Sequence, residues 1–174
     1  RGNETLVLGE FLIGCNGRGA QASSMEHPVS LQEASIDEQF RLVSETGVFD
    51  YFDRIPLRHD IDEYRAAIEK YNLPIHTVSW FYRLGGDEAL LSDNLRISAE
   101  IGADMHNIMI FTNHANGHVV TDEEIVDCYL NAYDEGMKIG VEPTFELHVN
   151  MWSEDFRRVT PIALAVQNHG VPFN

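Results

Sequence analysis

The feature that most limits what this chain can fold into is its rhythm. Short runs rich in Val, Ile and aromatic residues alternate with amphipathic stretches, at a repeat of about thirty residues. The runs Leu6 to Ile13, Val48 to Phe52, Ile75 to Trp80, His106 to Thr112 and Thr144 to Val149 read as strands. Helices of about ten to fifteen residues between them force parallel pairing, because a strand re-enters a sheet in the same sense only after crossing its face, and that crossover is right-handed.

Local signals mark where the helices start and stop. Ser35 with Glu38 three residues on forms a predicted capping box, and Ile36, Phe40, Leu42 and Val43 give an apolar face up to Gly47. A second helix opens at Asp60 and carries Tyr64, Ala67, Ile68 and Tyr71 before Pro74 breaks it. A third runs from Asp87 through Leu91, Leu95, Ile97 and Ile101 to Gly102. Thr121 and Glu124 form a second capping box, ahead of Ile125, Val126, Tyr129 and Tyr133 and a stop at Gly136. A fifth helix spans about Glu154 to Asn168, and Val171 to Asn174 reads as the opening of a sixth strand. Gly14-Cys15-Asn16-Gly17-Arg18-Gly19 reads as a turn; no Lys-Ser/Thr follows, so it is not a phosphate loop.

Two α/β architectures fit this order. One is an open, doubly wound sheet of five strands. The other is a (β/α)8 TIM barrel, which takes about 250 residues in full, so that the 174 residues here supply about five parallel strands alternating with helices. The polar residues favour the partial barrel, because they gather after the strands: Asp53-Arg54, Trp80 to Arg83, Asn113-His114, and His148, Asn150 and Trp152. Barrel active sites are built from the loops that follow strands, although open sheets also bind ligands at those ends. No linker or low-complexity segment interrupts the chain, which reads as a single domain over residues 1–174.

Composition excludes several functions. Apolar content of 44% describes a globular protein, and no apolar run approaches the roughly 20 residues of a membrane span. With 28 acidic against 12 basic residues the formal net charge is -16, opposite in sign to a nucleic-acid footprint. No membrane or nucleic-acid partner is expected. Cys15 and Cys128 stand far apart in no metal-binding spacing, which is the pattern of a reduced, cytoplasmic protein, with Cys128 as a small buried hydrophobe.

The chemistry concentrates in the last predicted strand. Alternation from Val141 to Val149 puts Phe145, Leu147 and Val149 on one face and Thr144, Glu146 and His148 on the other. A glutamate between Phe and Leu costs several kcal/mol to bury unless a metal or partner compensates. Carboxylate oxygens suit hard divalent cations, and a buried carboxylate also serves as acid or base. Glu146 is therefore the first candidate, as metal ligand and catalytic group, against an ion pair with a neighbouring strand. His148, His114 and Trp80 are candidates for substrate contact, while His76 and His106, early in their strands, are read as structural.

At Phe145-Glu146-Leu147-His148-Val149-Asn150 the sequence resembles the xylose isomerase-like TIM barrel superfamily of sugar isomerases and epimerases. The resemblance covers the chain as the first five β/α units, and its specific motif is the Glu-x-His of the fifth strand. It implies a divalent metal (Mn, Mg, Co or Zn) at the carboxyl end of the barrel, with Glu146 as its first ligand. The remaining ligands would come from later strands, beyond Asn174. It implies proton transfer through an enediolate on a small-molecule sugar or polyol, in an isomerase of carbohydrate metabolism. The incomplete barrel lacking the last strands is expected to be inactive alone, and its unpaired edges make a homo-oligomer possible. The alternative is a non-catalytic α/β binding or assembly module. Abasic-site endonuclease-like activity ranks last, because that branch of the superfamily would place histidines where Asp53-Arg54 and Trp80-Phe81 stand.

Overall fold

A computed structural model describes residues 34–53 and 58–173 of the protein, and the backbone of residues 14–16. Among the described residues, five short strands alternate with five helices in an open, partial α/β barrel. The strands are β1 (Gly14–Asn16), β2 (Tyr51–Asp53), β3 (Thr77–Tyr82), β4 (Met105–Ile110) and β5 (Glu142–Phe145). The helices are α1 (Ile36–Thr46), α2 (Ile61–Tyr71), α3 (Glu88–Ile101), α4 (Asp122–Lys138) and α5 (Val159–Asn168). All described strand pairs are parallel: β1 with β2, and β3 with β4 and then β5. Phe52 N–H donates to Pro74 O at 2.9 Å, so β2 meets the lead-in to β3 and the strands follow chain order. None of the described helices is long and apolar enough to cross a membrane.

Several expected boundaries move, for physical reasons. Gly14–Asn16, expected as a turn, is a strand because its backbone pairs with Tyr51–Asp53; the run Leu6 to Ile13 lies outside the described residues. Ser35 Oγ accepts from Glu38 N–H at 3.2 Å, but the Glu38 carboxylate turns to Arg41 instead of closing a capping box. The box at Thr121 and Glu124 is complete. Gly136 does not stop the fourth helix: α4 runs on to Lys138, and Val141 N–H donates to Gly136 O at 2.9 Å as the chain turns back into β5. Val171 to Phe173 is not in a strand.

The sheet sorts its side chains by alternation. Val78, Trp80 and Tyr82 of β3, His106, Ile108 and Ile110 of β4, and Pro143 and Phe145 of β5 face the helices. Ser79, Asn107 and Thr144 lie side by side on the inner face, where Thr144 Oγ1 donates to Asn107 Oδ1. The helix-side core divides in two. Phe40, Phe52, Tyr64, Ile75 and Val78 pack under α1 and α2. Ile108, Ile110, Tyr129, Phe145, Trp152 and Ile162 pack under α4 and α5. Helix α3 serves both, giving Ile97 and Ile101 to the first and Leu91 and Leu95 to the second.

One polar group sits inside this layer. His106 has no exposed surface. Asn94 Nδ2 donates to Tyr82 Oη at 2.8 Å, Tyr82 Oη donates to His106 Nε2 at 2.7 Å, and His106 Nδ1 lies 3.2 Å from Ser98 Oγ, which donates to Asn94 O. The chain of donors places the imidazole proton on Nδ1 and satisfies every member. Burial pushes the His106 pKa down to about 3. The unfolded chain, with an ordinary imidazole, binds the proton first, so stability falls as pH drops from about 6.5 towards 3. Replacing Tyr82 with Phe strands both His106 Nε2 and the Asn94 amide, and is expected to cost about 2 kcal/mol or more. Urea unfolding at neutral pH checks this; an unchanged midpoint contradicts the network.

Candidate active site

Glu146 stands one residue past β5. Its backbone N–H donates to Ile108 O at 3.2 Å, a last ladder bond, and its carbonyl accepts from Ser153 Oγ at 3.3 Å. Ser153 Oγ in turn accepts from His148 N–H at 3.1 Å. A hydroxyl thus takes the backbone groups that a further strand would have used, and the chain leaves the sheet. Asn150, at φ 60, completes the turn, and Met151 pairs antiparallel with Phe111. This overturns the expected strand from Thr144 to Val149. Phe145 is buried, but Leu147 and Val149 are 58% and 63% exposed. Glu146 and His148 belong instead to the loop after the strand, the position from which barrels build their sites.

His148 is half-buried and fixed in one tautomer. Its Nδ1 lies 2.8 Å from Val149 O, which only accepts, so the proton is on Nδ1 and Nε2 keeps its lone pair. The edge of the ring meets Phe81 at 5.5 Å and 89°. Phe81 stacks on Phe111 at 6.0 Å, and the Arg83 guanidinium lies 4.9 Å above the Phe111 ring. Inner-face residues of β3 and the ends of β3 and β4 thereby make an aromatic wall beside His148.

Facing this loop is Asp53, the last residue of β2. Burial, with the charge of Glu146 added, pushes its pKa up to about 6. Two carboxylates from opposite halves of the sheet therefore repel each other at the mouth, and among the described residues no Lys or Arg bonds to either. Such a pair is a mark of a working site rather than of a stabilising one. Sequence reasoning noted Asp53 only as a loop-start residue; the available signal was an acid at the terminal position of a predicted strand.

The sign of the Asp53 effect is definite. Between about pH 3.8 and 6 the folded chain keeps a proton that the unfolded chain has lost, so stability falls as pH rises through that window. Asp53→Asn is expected to raise stability at pH 7, in chelator and without added metal, by about 1–2 kcal/mol once partial exposure is allowed for. Urea unfolding at pH 4 and pH 7 reads the change, and a less stable variant at pH 7 rejects it.

Trp80 and His114 stand elsewhere. Trp80 shares the outward face of β3 with Val78 and Tyr82 and packs against the helix-side core. The His114 ring turns toward α3 and α4, where it lines a cleft of about 300 Å³ with Leu84, Leu91 and Cys128. Burial raises the Cys128 thiol to about 12, consistent with a packed, inert side chain.

No protein-family model and no curated protein matches the sequence. Solved structures do match the fold. The chain is 17% identical to the 3-keto-D-glucoside 4-epimerase YcjR from E. coli, with a TM-score of 0.61 over 88% of this chain and 65% of that one. An AP endonuclease, family 2, from Brucella melitensis gives 14% identity and a TM-score of 0.61 over 87% and 64%. The IolI protein with a bound zinc atom gives 13% and 0.62 over 90% and 59%. The chain shares the α/β-barrel fold of these structures over the part that it covers, and it spans less than two thirds of each.

Proposed function

We propose that this chain supplies the fifth-strand carboxylate of a divalent-metal-dependent sugar or polyol isomerase or epimerase, acting by proton transfer through an enediolate. The observation that carries the reading is the placement of Glu146 at the carboxyl end of β5, opposed by Asp53 with its raised pKa. Shared fold with an epimerase of a keto-sugar and with a zinc-binding protein supports it.

The residues present suit part of a cation site. Glu146 and Asp53, to which no Lys or Arg among the described residues bonds, offer an all-oxygen donor set that suits Mg²⁺ or Mn²⁺. When bound, such a cation supplies positive charge that stabilises the negative oxygen developing on the substrate. Glu146 is the metal ligand and the group we assign to moving the proton. Asp53, with a pKa close to neutrality, is able to hold or release a proton at the same mouth. His148 Nε2 accepts a hydrogen bond from a sugar hydroxyl, and the Phe81 edge limits where the apolar face of the sugar rests.

Proton transfer at carbon leaves a record that binding alone does not. In D2O, a keto-sugar or aldose substrate incubated with the protein that contains this chain and Mn²⁺ should take up deuterium at the carbon next to its carbonyl. Turnover without deuterium in product or recovered substrate, across a panel of free sugars, contradicts the enediolate step. Abasic-site endonuclease chemistry has the Brucella fold match in its favour, but Asp53 and Trp80-Phe81 at the ends of β2 and β3 and a net charge of -16 support it less.

A further inference from the structure

The loop between β4 and α4 carries a second set of donors that the proposed reaction does not use. His114 N–H donates to His118 O at 2.9 Å, Gly117 N–H donates back to His114 O at 2.9 Å, and Asn113 pairs antiparallel with Val119 outside them. The two histidines thus stand opposite each other across a tight turn, and their rings stack with centroids 4.5 Å apart and planes 18° from parallel. Ala115 N–H donates to Leu84 O at 2.8 Å and ties this turn to the loop after β3. The His114 ring occupies the space a side chain at Gly85 would need: a Cβ there would lie 2.1 Å from its Cε1.

Glu124 completes the set from the first turn of α4. Its Oε2 accepts from Thr121 N–H at 2.8 Å, which fixes the carboxylate. Its Oε1 lies 2.9 Å from His118 Nε2 and 3.9 Å from His114 Nε2. One ligand atom from each of the three residues falls within 4.8 Å of the others.

We propose that His114, His118 and Glu124 form a transition-metal site that takes Zn²⁺, with a fourth position open to water. Two imidazoles and one carboxylate are a borderline donor set that suits Zn²⁺ and disfavours Mg²⁺ and Ca²⁺. Ligand atoms across a tetrahedral Zn²⁺ stand about 3.3 Å apart, given bonds of about 2.0–2.1 Å. The present separations bracket that value, so the side chains need to close by no more than about 1.5 Å.

The protons balance simply. His114 Nδ1 accepts from Asn116 N–H at 3.1 Å, so its proton is on Nε2; metal binding moves that proton to Nδ1 and turns the exposed Asn116 N–H to water. Any proton held between His118 Nε2 and Glu124 leaves to solvent. The positive end of the α4 dipole opposes a cation, but Asp122, Glu123 and Glu124 in the first turn offset it.

Titration of Zn²⁺ alone into the Glu146→Gln chain, against a chelator of known affinity, isolates this site from the one at the barrel mouth. One Zn²⁺ per chain is expected, with a loss of roughly 100-fold in affinity when His118→Ala is added. Co²⁺ in place of Zn²⁺ should give the intense visible absorption of tetrahedral coordination, lost in the same double variant. His118 is exposed, so its removal leaves the fold intact by circular dichroism. Absence of stoichiometric Zn²⁺ binding to Glu146→Gln, or equal binding after His118→Ala and His114→Ala, overturns the proposal. Neither result bears on the role of Glu146.

Discussion

Glu146→Gln is expected to lower turnover by about 10³-fold or more, in the protein that contains this chain, while leaving it folded. The amide keeps the size of the side chain but can neither take a proton nor present a charged oxygen to a cation. Glu146 is half-buried at a loop start, and its backbone bonds to Ile108 and Ser153 do not involve the carboxylate. Stability should therefore hold or rise, because the substitution removes the charge that helps push Asp53 upward. Three measurements separate the outcomes: kcat/KM on a sugar substrate, Mn²⁺ affinity, and the thermal midpoint. Full metal affinity and turnover in a folded variant reject the assignment. A loss of turnover with unchanged Mn²⁺ affinity moves the metal elsewhere and leaves Glu146 only the proton.

Gly136→Ala is expected to be strongly destabilising although it adds a single methyl group. In an ordinary helix interior, Ala is favoured over Gly by about 1 kcal/mol. Here a Cβ would lie 2.4 Å from Val141 O, a backbone atom, and 3.5 Å from both Leu95 Cδ2 and Pro143 Cδ. Relief requires α4 to move off the lead-in to β5, which breaks the bond from Val141 N–H to Gly136 O and disturbs a fully buried Val141. The net cost should reach about 3 kcal/mol, or a fall of about 6–12 °C in the thermal midpoint. A midpoint equal to or above that of the parent shows that helix and strand do not approach this closely.

These two positions also show what was legible in the sequence. Periodicity located the five described helices, because an amphipathic face is a local property, and the completed box at Thr121 and Glu124 is the clearest start signal; α5, with no side-chain cap, begins at Val159 rather than at about Glu154, where a 3-10 turn stands instead. Strand limits were less legible. Apolar runs include the residues that lead into a strand, so β2 and β3 were expected two or three residues early. β5 was expected to run on to Val149, because Leu147 and Val149 continue the alternation begun at Phe145. The ladder with β4 decided otherwise: Pro143 lies opposite His106, and Ser153 captures the backbone after Phe145. Gly136 read as a helix stop because local pattern does not show that another segment passes within contact of it. Glu146 stood out as an acid in an apolar setting, whereas its neighbour Asp53 became visible only when strand order brought distant segments to one mouth. His114 and Trp80 carried suitable chemistry, but side-chain direction depends on strand alternation and loop hydrogen bonds that residue type does not encode.

The divided core gives the mouth a mechanical character. Asp53 is carried by the half packed under α1 and α2, and Glu146 by the half packed under α4 and α5. Their mutual repulsion pushes on the seam between the halves, while a cation held by both would act as a clasp across it. Occupancy of the mouth and docking of the halves are then linked quantities, each strengthening the other. Trimming Ile97 or Ile101 on α3, far from any ligand, should loosen the clasp as surely as altering a carboxylate, and a bound cation should slow amide exchange in α1 and α2.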